Sequence, residues 1–213
     1  MAMRFAGFLL SALSAAVLAP PCALAAGPAA IAGNPARGEQ LFTGDHCVTC
    51  HAVNGKGGRV GIDLGRAASR NFTPAQLACN MWNRAPVMWV AMDARGIEPP
   101  RLSPEDAADL FAFLYSSRLI GQPESASPAG GSALRGKKIF ATRRCSACHA
   151  EGHNGAPQLP GQARSYSAVT LMSVLWRHGP AMLRRMKQAG IAWPTFRDPQ
   201  ELTDLIAYLN VVQ

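Results

Sequence analysis

"RGEQLFTGDHCVTCHA", residues 37–52, and "RGKKIFATRRCSACHA", residues 135–150, are one pattern written twice at an offset of 98. Arg37, Gly38, Phe42, Cys47, Cys50, His51 and Ala52 recur as Arg135, Gly136, Phe140, Cys145, Cys148, His149 and Ala150. Two more blocks follow in the same order. "MWNRAPVMWVAMDARGIEPPRL" (81–102) matches "LWRHGPAMLRRMKQAGIAWPTF" (175–196) at an offset of 94, and "DLFAFL" (109–114) matches "DLIAYL" (204–209) at 95. Three blocks in fixed order mean two copies of one domain. We place these at 33–120 and 134–213. The Gly/Pro/Ser-rich "GQPESASPAGGSA" (121–133) has no apolar period and reads as the linker between them.

Each copy reads as helical. Thr73-Pro74 and Ser103-Pro104 are N-cap residues followed by proline at the first helical position. Ala107, Leu110, Phe111 and Leu114 fall at helical spacing, as do Leu202, Leu205, Ile206 and Leu209. Val, Ile and Thr nowhere alternate with strand period. The fold class expected is therefore all-α, with two tandem domains.

The chemistry sits in Cys-x-x-Cys-His. Two disulfides and a spare thiol would suit an exported chain, but the spacing points elsewhere. A tetrahedral zinc site joins Cys pairs some 15–20 residues apart, whereas these pairs lie in different repeats. A thioredoxin-like dithiol belongs near a βαβ pattern, which is absent here. A histidine directly after the second cysteine suits covalent haem attachment. Cys47 and Cys50, then Cys145 and Cys148, would add to the vinyl groups of two haems, and His51 and His149 would bind iron from the proximal side.

With these residues the sequence resembles the class I cytochromes c, and in particular their two-domain di-haem members, from about Ala36 to Ile120 and from Leu134 to the C-terminus. The resemblance implies one haem c wrapped by each domain. It also implies that Gly38 and Phe42 pack against Phe113, and Gly136 and Phe140 against Tyr208. The family's Gly-Pro-x-Leu, whose proline carbonyl holds the axial histidine, corresponds to "APQL" (156–159). In "GIDL" (61–64) Ile62 replaces the proline, and a backbone carbonyl there can serve equally.

A larger departure concerns the sixth iron ligand. The family supplies a methionine in a loop just before the last helix, where this chain has Trp193 and Pro99. Each repeat instead carries two methionines four residues apart, on one helical face. Met92 lies 41 residues after His51, and Met186 lies 37 after His149. These two are the expected distal ligands, with Met88 and Met182 the alternates and the unused methionine packing on the porphyrin. The competing reading makes all four core residues. His178 is a rival in the second domain, but its repeat partner is Arg84. His46 and His153 lie too near the attachment sites to cross the haem and are expected at the surface. Cys79 is expected as a buried thiol, and Trp82 and Trp176 as lining of the haem pocket or core.

The first 25 residues read as a secretory signal, with Arg4, an apolar run from Phe5 to Leu18, and the exit Ala23-Leu24-Ala25. No later stretch has the length and apolarity of a membrane span. A periplasmic location is expected. Charge is uneven: residues 26–120 carry nine Lys/Arg against eight Asp/Glu, and 121–213 carry eleven against five. That asymmetry suits redox protein partners with an acidic docking face, and nothing suggests nucleic acid. The function expected is single-electron transfer between such partners. The alternatives are a di-haem oxidoreductase or gas sensor with one open haem, and a cytochrome subunit of a larger dehydrogenase.

Overall fold

The structure is a computed structural model that describes residues 32–66, 73–117, 130–159 and 165–211. The expected signal (1–25) and most of the expected linker lie outside the described residues. The first domain runs α1 (Pro35–Gly44), α2 (Cys47–Cys50), strands β1 (Ala52–Val53) and β2 (Lys56–Gly57), α3 (Pro74–Asp93) and α4 (Pro104–Ser116). The second runs α5 (Ala133–Thr142), α6 (Ser146–His149), a 3-10 turn (His153–Gly155), α7 (Ala168–Gln188) and α8 (Pro199–Leu209). The chain is mostly helical, as expected. One hairpin departs from the all-α reading. Asn54 and Gly55 take φ of 52° and 82°, which lets a two-residue turn pair Ala52 with Gly57 and Val53 with Lys56.

Helix starts are written into the sequence. Thr73 accepts from the Gln76 N–H at 3.1 Å, and Ser103 forms a reciprocal capping box with Asp106. Pro74, Pro104 and Pro199 each occupy the first turn, where a missing N–H costs nothing. The ends of α3 and α7 are equally local. Gly96 and Gly190 adopt φ of 65° and 63°, and the next N–H groups, Ile97 and Ile191, close onto the carbonyls of Met92 and Met186.

In each domain the first helix crosses the last: α1 packs on α4 and α5 on α8. The crossings depend on Gly38 and Gly136. A Cβ at either would lie 2.0 Å from a backbone carbonyl oxygen, that of Asp109 or Asp204. The aromatic neighbours follow, with Phe42 and Phe113 centroids 5.6 Å apart and Phe140 and Tyr208 5.4 Å apart. Asp109 and Asp204 are buried at the same crossings. Asp204 accepts from Arg135 Nε at 2.6 Å and the Ser132 N–H at 2.8 Å, while Asp109 accepts from the Asn34 N–H at 2.6 Å and from Arg37.

The domains meet through α3, α4, α7 and α8. Pro86 lies inside α3 and cannot donate to the carbonyl of Trp82 four residues back. That freed carbonyl accepts the Trp193 indole N–H of the second domain at 3.1 Å. Trp82 returns the bond by donating to the Pro194 carbonyl at 2.7 Å, and its ring lies 5.3 Å from those of Trp193 and Phe196. Asn83 exchanges two 2.8 Å bonds with the backbone of Phe196. On the pseudo-symmetric side Arg177 donates to the Leu102 carbonyl at 3.1 Å. Trp193 thus serves as an anchor between domains.

Candidate haem sites

A cavity of about 550 Å³ opens in the first domain. Its lining includes Cys47, Cys50 and His51 from the α2 region, and Met81, Arg84, Met88 and Met92 from α3. The wall is largely hydrocarbon. Three of the large apolar side chains that the protein alone leaves exposed, Val60, Ile62 and Val87, stand on this wall, so a flat apolar group seated there would cover them.

The imidazole of His51 is fixed by its neighbours. Its Nδ1 lies 3.0 Å from the Ile62 carbonyl oxygen, which can only accept, so Nδ1 carries the proton and Nε2 keeps its lone pair for a metal. The substitution of Ile62 for proline therefore costs the ring nothing. Gly61 leaves room for it, since a Cβ there would come within 2.4 Å of His51 Cε1. Asp63 ties the same loop together by accepting from the N–H groups of Asn54, Gly55 and Gly65 at 2.9, 2.7 and 3.0 Å. Desolvation alone would raise the pKa of this carboxyl, but the backbone donors outweigh it and hold the value below the ordinary range.

The second domain repeats the arrangement. His149 Nδ1 lies 2.9 Å from the Pro157 carbonyl, and Arg144 just before Cys145 takes the same left-handed turn, φ 61°, as His46 before Cys47. Burial, with Asp45 adding to it, pushes the Cys47 thiol up to about 12, and burial pushes Cys145 up to about 11. Neither is the activated thiolate that a dithiol exchange site needs. Among the described residues no group of three or more His, Cys, Asp or Glu side chains could hold a metal ion. The donor set is instead one imidazole and thioethers in a largely hydrocarbon cavity. That set fits haem.

The other expected residues fall as follows. Met88 and Met92 both line the first cavity, and Met182 and Met186 are half-buried on α7. His178, His153 and His46 are all exposed, the latter two as expected, and His46 also lines the first cavity. Cys79 is buried at 2 % exposure, and burial pushes its thiol up to about 11. Trp82 belongs to the core between the domains. Trp176, with Met172, comes from the second domain to line the cavity of the first. Sequence reasoning did not anticipate that crossing, because nothing in a repeat says how its two copies pack. The Trp176 indole N–H is buried without a hydrogen-bond partner, a state that costs about 1–3 kcal/mol.

No curated protein matches the chain. The family model described as Cytochrome c matches it twice, over residues 35–118 and 133–213. Two Cys-x-x-Cys-His segments, each beside an imidazole turned by a backbone carbonyl, thus lie within two matched domains. The chain belongs to the cytochrome c family, and its two domains fit two covalently bound haem c groups.

Proposed function

We propose that the protein is an exported, periplasmic di-haem carrier that passes single electrons between protein partners. One observation carries this reading: both domains hold a histidine with Nε2 free, by bonds of 3.0 and 2.9 Å to the Ile62 and Pro157 carbonyls. When bound, the haem irons supply the one-electron chemistry. The protein's own part is attachment through Cys47, Cys50, Cys145 and Cys148, proximal ligation by His51 and His149, and exclusion of water by apolar walls. A methionine of each helical pair, Met92 with Met186 or the alternates Met88 with Met182, would supply the other iron ligand. Methionine opposite histidine raises the haem potential, which suits a carrier.

Partner docking falls to the second domain. Arg184, Arg185 and Lys187 are exposed at the end of α7. The Arg185 guanidinium lies beside Gly155, two residues before the Pro157 whose carbonyl turns His149. A cationic patch next to a haem-bearing loop suits an acidic redox protein. Among the described residues no helix is long and apolar enough to cross a membrane.

The second reading, a di-haem oxidoreductase or gas sensor, draws on the absence of methionine from the loop before the last helix. Titration of the reduced, haem-loaded protein with ferricyanide separates the two. A carrier gives up two electrons per chain reversibly and shows no turnover with hydrogen peroxide. Sustained peroxide turnover would overturn the carrier.

A further inference from the structure

We propose that the four tryptophans of the chain form one path of electronic coupling between the two domains, and that Trp89 is the residue that completes it. The inference rests on the carrier reading and names the route by which an electron crosses from one domain to the other. Trp176 meets Trp89 with ring centroids 5.9 Å apart, Trp89 meets Trp193 at 5.5 Å, and Trp193 meets Trp82 at 5.3 Å. Every tryptophan in the sequence belongs to this series, and each step lies within the contact range of aromatic pairs. The rings alternate between second and first domain, so every step crosses the boundary.

The ends of the series reach the two sites. The Trp176 ring stands in the wall of the first cavity, with its Nε1 buried away from it. At the other end Trp82, the repeat twin of Trp176, lies 5.3 Å from Phe196 and donates to the Pro194 carbonyl at 2.7 Å. The twins of Phe196 and Pro194 are Leu102 and Pro100, and both line the first cavity. By the repeat, Trp82 therefore rests on residues that wall the second site.

The middle of the series is particular to this arrangement. The twins of Trp89 and Trp193 are Leu183 and Pro99, so the other copy folds without an aromatic at either place. Room for Trp89 comes from Gly179 of the second domain, where a Cβ would lie 2.2 Å from Trp89 Cη2; the twin of Gly179 is Ala85. The Nε1 atoms of Trp89 and Trp176 are both buried without a hydrogen-bond partner, a loss of stability that leucine would avoid. Filling volume does not account for an indole kept there at that cost. Electronic coupling does, because it decays steeply across gaps and more slowly through packed conjugated rings. One electron passes from the reduced site to the oxidised one, and no bond forms or breaks. The indoles are much harder to oxidise than ferrous haem, so they mediate without changing oxidation state.

The test uses the full haem-loaded chain, with haem content and both midpoint potentials measured first. In the half-reduced protein the haem methyl resonances report how fast the electron exchanges between sites, and dilution separates this from exchange between molecules. Trp89→Leu installs the side chain of the twin, and Trp89→Phe keeps a ring. The internal rate should fall several-fold in Trp89→Leu and less in Trp89→Phe, with both potentials held. The exciton couplet of the stacked indoles in circular dichroism should weaken in the same order. The 15N-labelled indole resonances of Trp82 and Trp193 should stay in place, showing that the domains remain docked. Equal internal rates in all three proteins would overturn the path and leave the carrier reading standing. A fall that comes with loss of those resonances would mean undocking, and would overturn it too. Fewer than two haems per chain would overturn the carrier reading instead. If Trp89→Leu does not mature, Trp89→Phe against the unaltered protein decides by the same comparison.

Discussion

At the residue scale the buried carboxylates make a prediction about acid. The Arg135 side chain holds the Asp204 carboxyl below the ordinary carboxylate range, and for Asp109 the Asn34 N–H is the largest cause of the same shift. A carboxyl depressed in the folded state contributes stability in full above its unfolded value, about 4, and loses it as the pH falls through the folded value. Asp204→Asn should therefore cost about 1–3 kcal/mol at neutral pH, since half-exposed Arg135 keeps partial solvation. The gap from the unaltered protein should close below about pH 4. Denaturant melts at two pH values check this. The methionines make a second prediction. Met88→Ala and Met92→Ala, made singly, should have unequal effects. Replacing the true ligand abolishes the weak methionine–iron charge-transfer band and lowers one potential by roughly 0.1–0.2 V, within the approximately 0.8 V that axial ligands span. A null result in both would return Met88 and Met92 to the core. The two Cys-x-x-Cys-His segments were legible from spacing because covalent attachment tolerates few residue types. The role of Trp193 was not, since its partner carbonyl exists only because Pro86 releases Trp82 in another domain.

At the scale of elements, the crossing of first and last helices sets each domain's shape. Gly136→Ala, or Gly38→Ala, would set a methyl group 2.0 Å from a carbonyl oxygen on the facing helix. Since backbone cannot yield as a side chain does, either change should destabilise its domain by about 3 kcal/mol or more. Thermal melts with haem absorbance as the probe would show it, and an unchanged midpoint would mean that the crossing is looser than described. The helices were readable in advance because their signals are local: caps at Thr73 and Ser103, prolines after them, apolar residues at helical spacing. The hairpin at Asn54-Gly55 also had a local signal, the Asn-Gly dipeptide, but two-residue strands are too short for alternation to register. The 3-10 turn at His153–Gly155 stands at the corresponding place in the second domain, so the copies diverge where the loop is free to do so.

At the scale of the molecule, one sequence pattern gives two similar sites that are not equivalent. The pseudo-symmetric interface satisfies the Trp82 indole N–H and leaves that of Trp176 without a hydrogen-bond partner. No single-copy pattern could disclose this, because it depends on which surfaces meet. Charge acts at the same scale. Reversing Arg184, Arg185 and Lys187 to Glu should lower the rate of electron transfer to an acidic redox protein at least tenfold at low salt, an effect that fades as salt screens the patch. Stopped-flow rates against ionic strength would measure it, and equal rates at low salt would remove the docking face from α7. The central claim, that both irons are closed and the molecule carries electrons without a substrate of its own, meets its most direct test in carbon monoxide titration of the reduced, haem-loaded chain. The account predicts no change in the haem spectrum at any carbon monoxide concentration that leaves the protein folded. Binding at one haem per chain would contradict it and expose an iron open to a substrate.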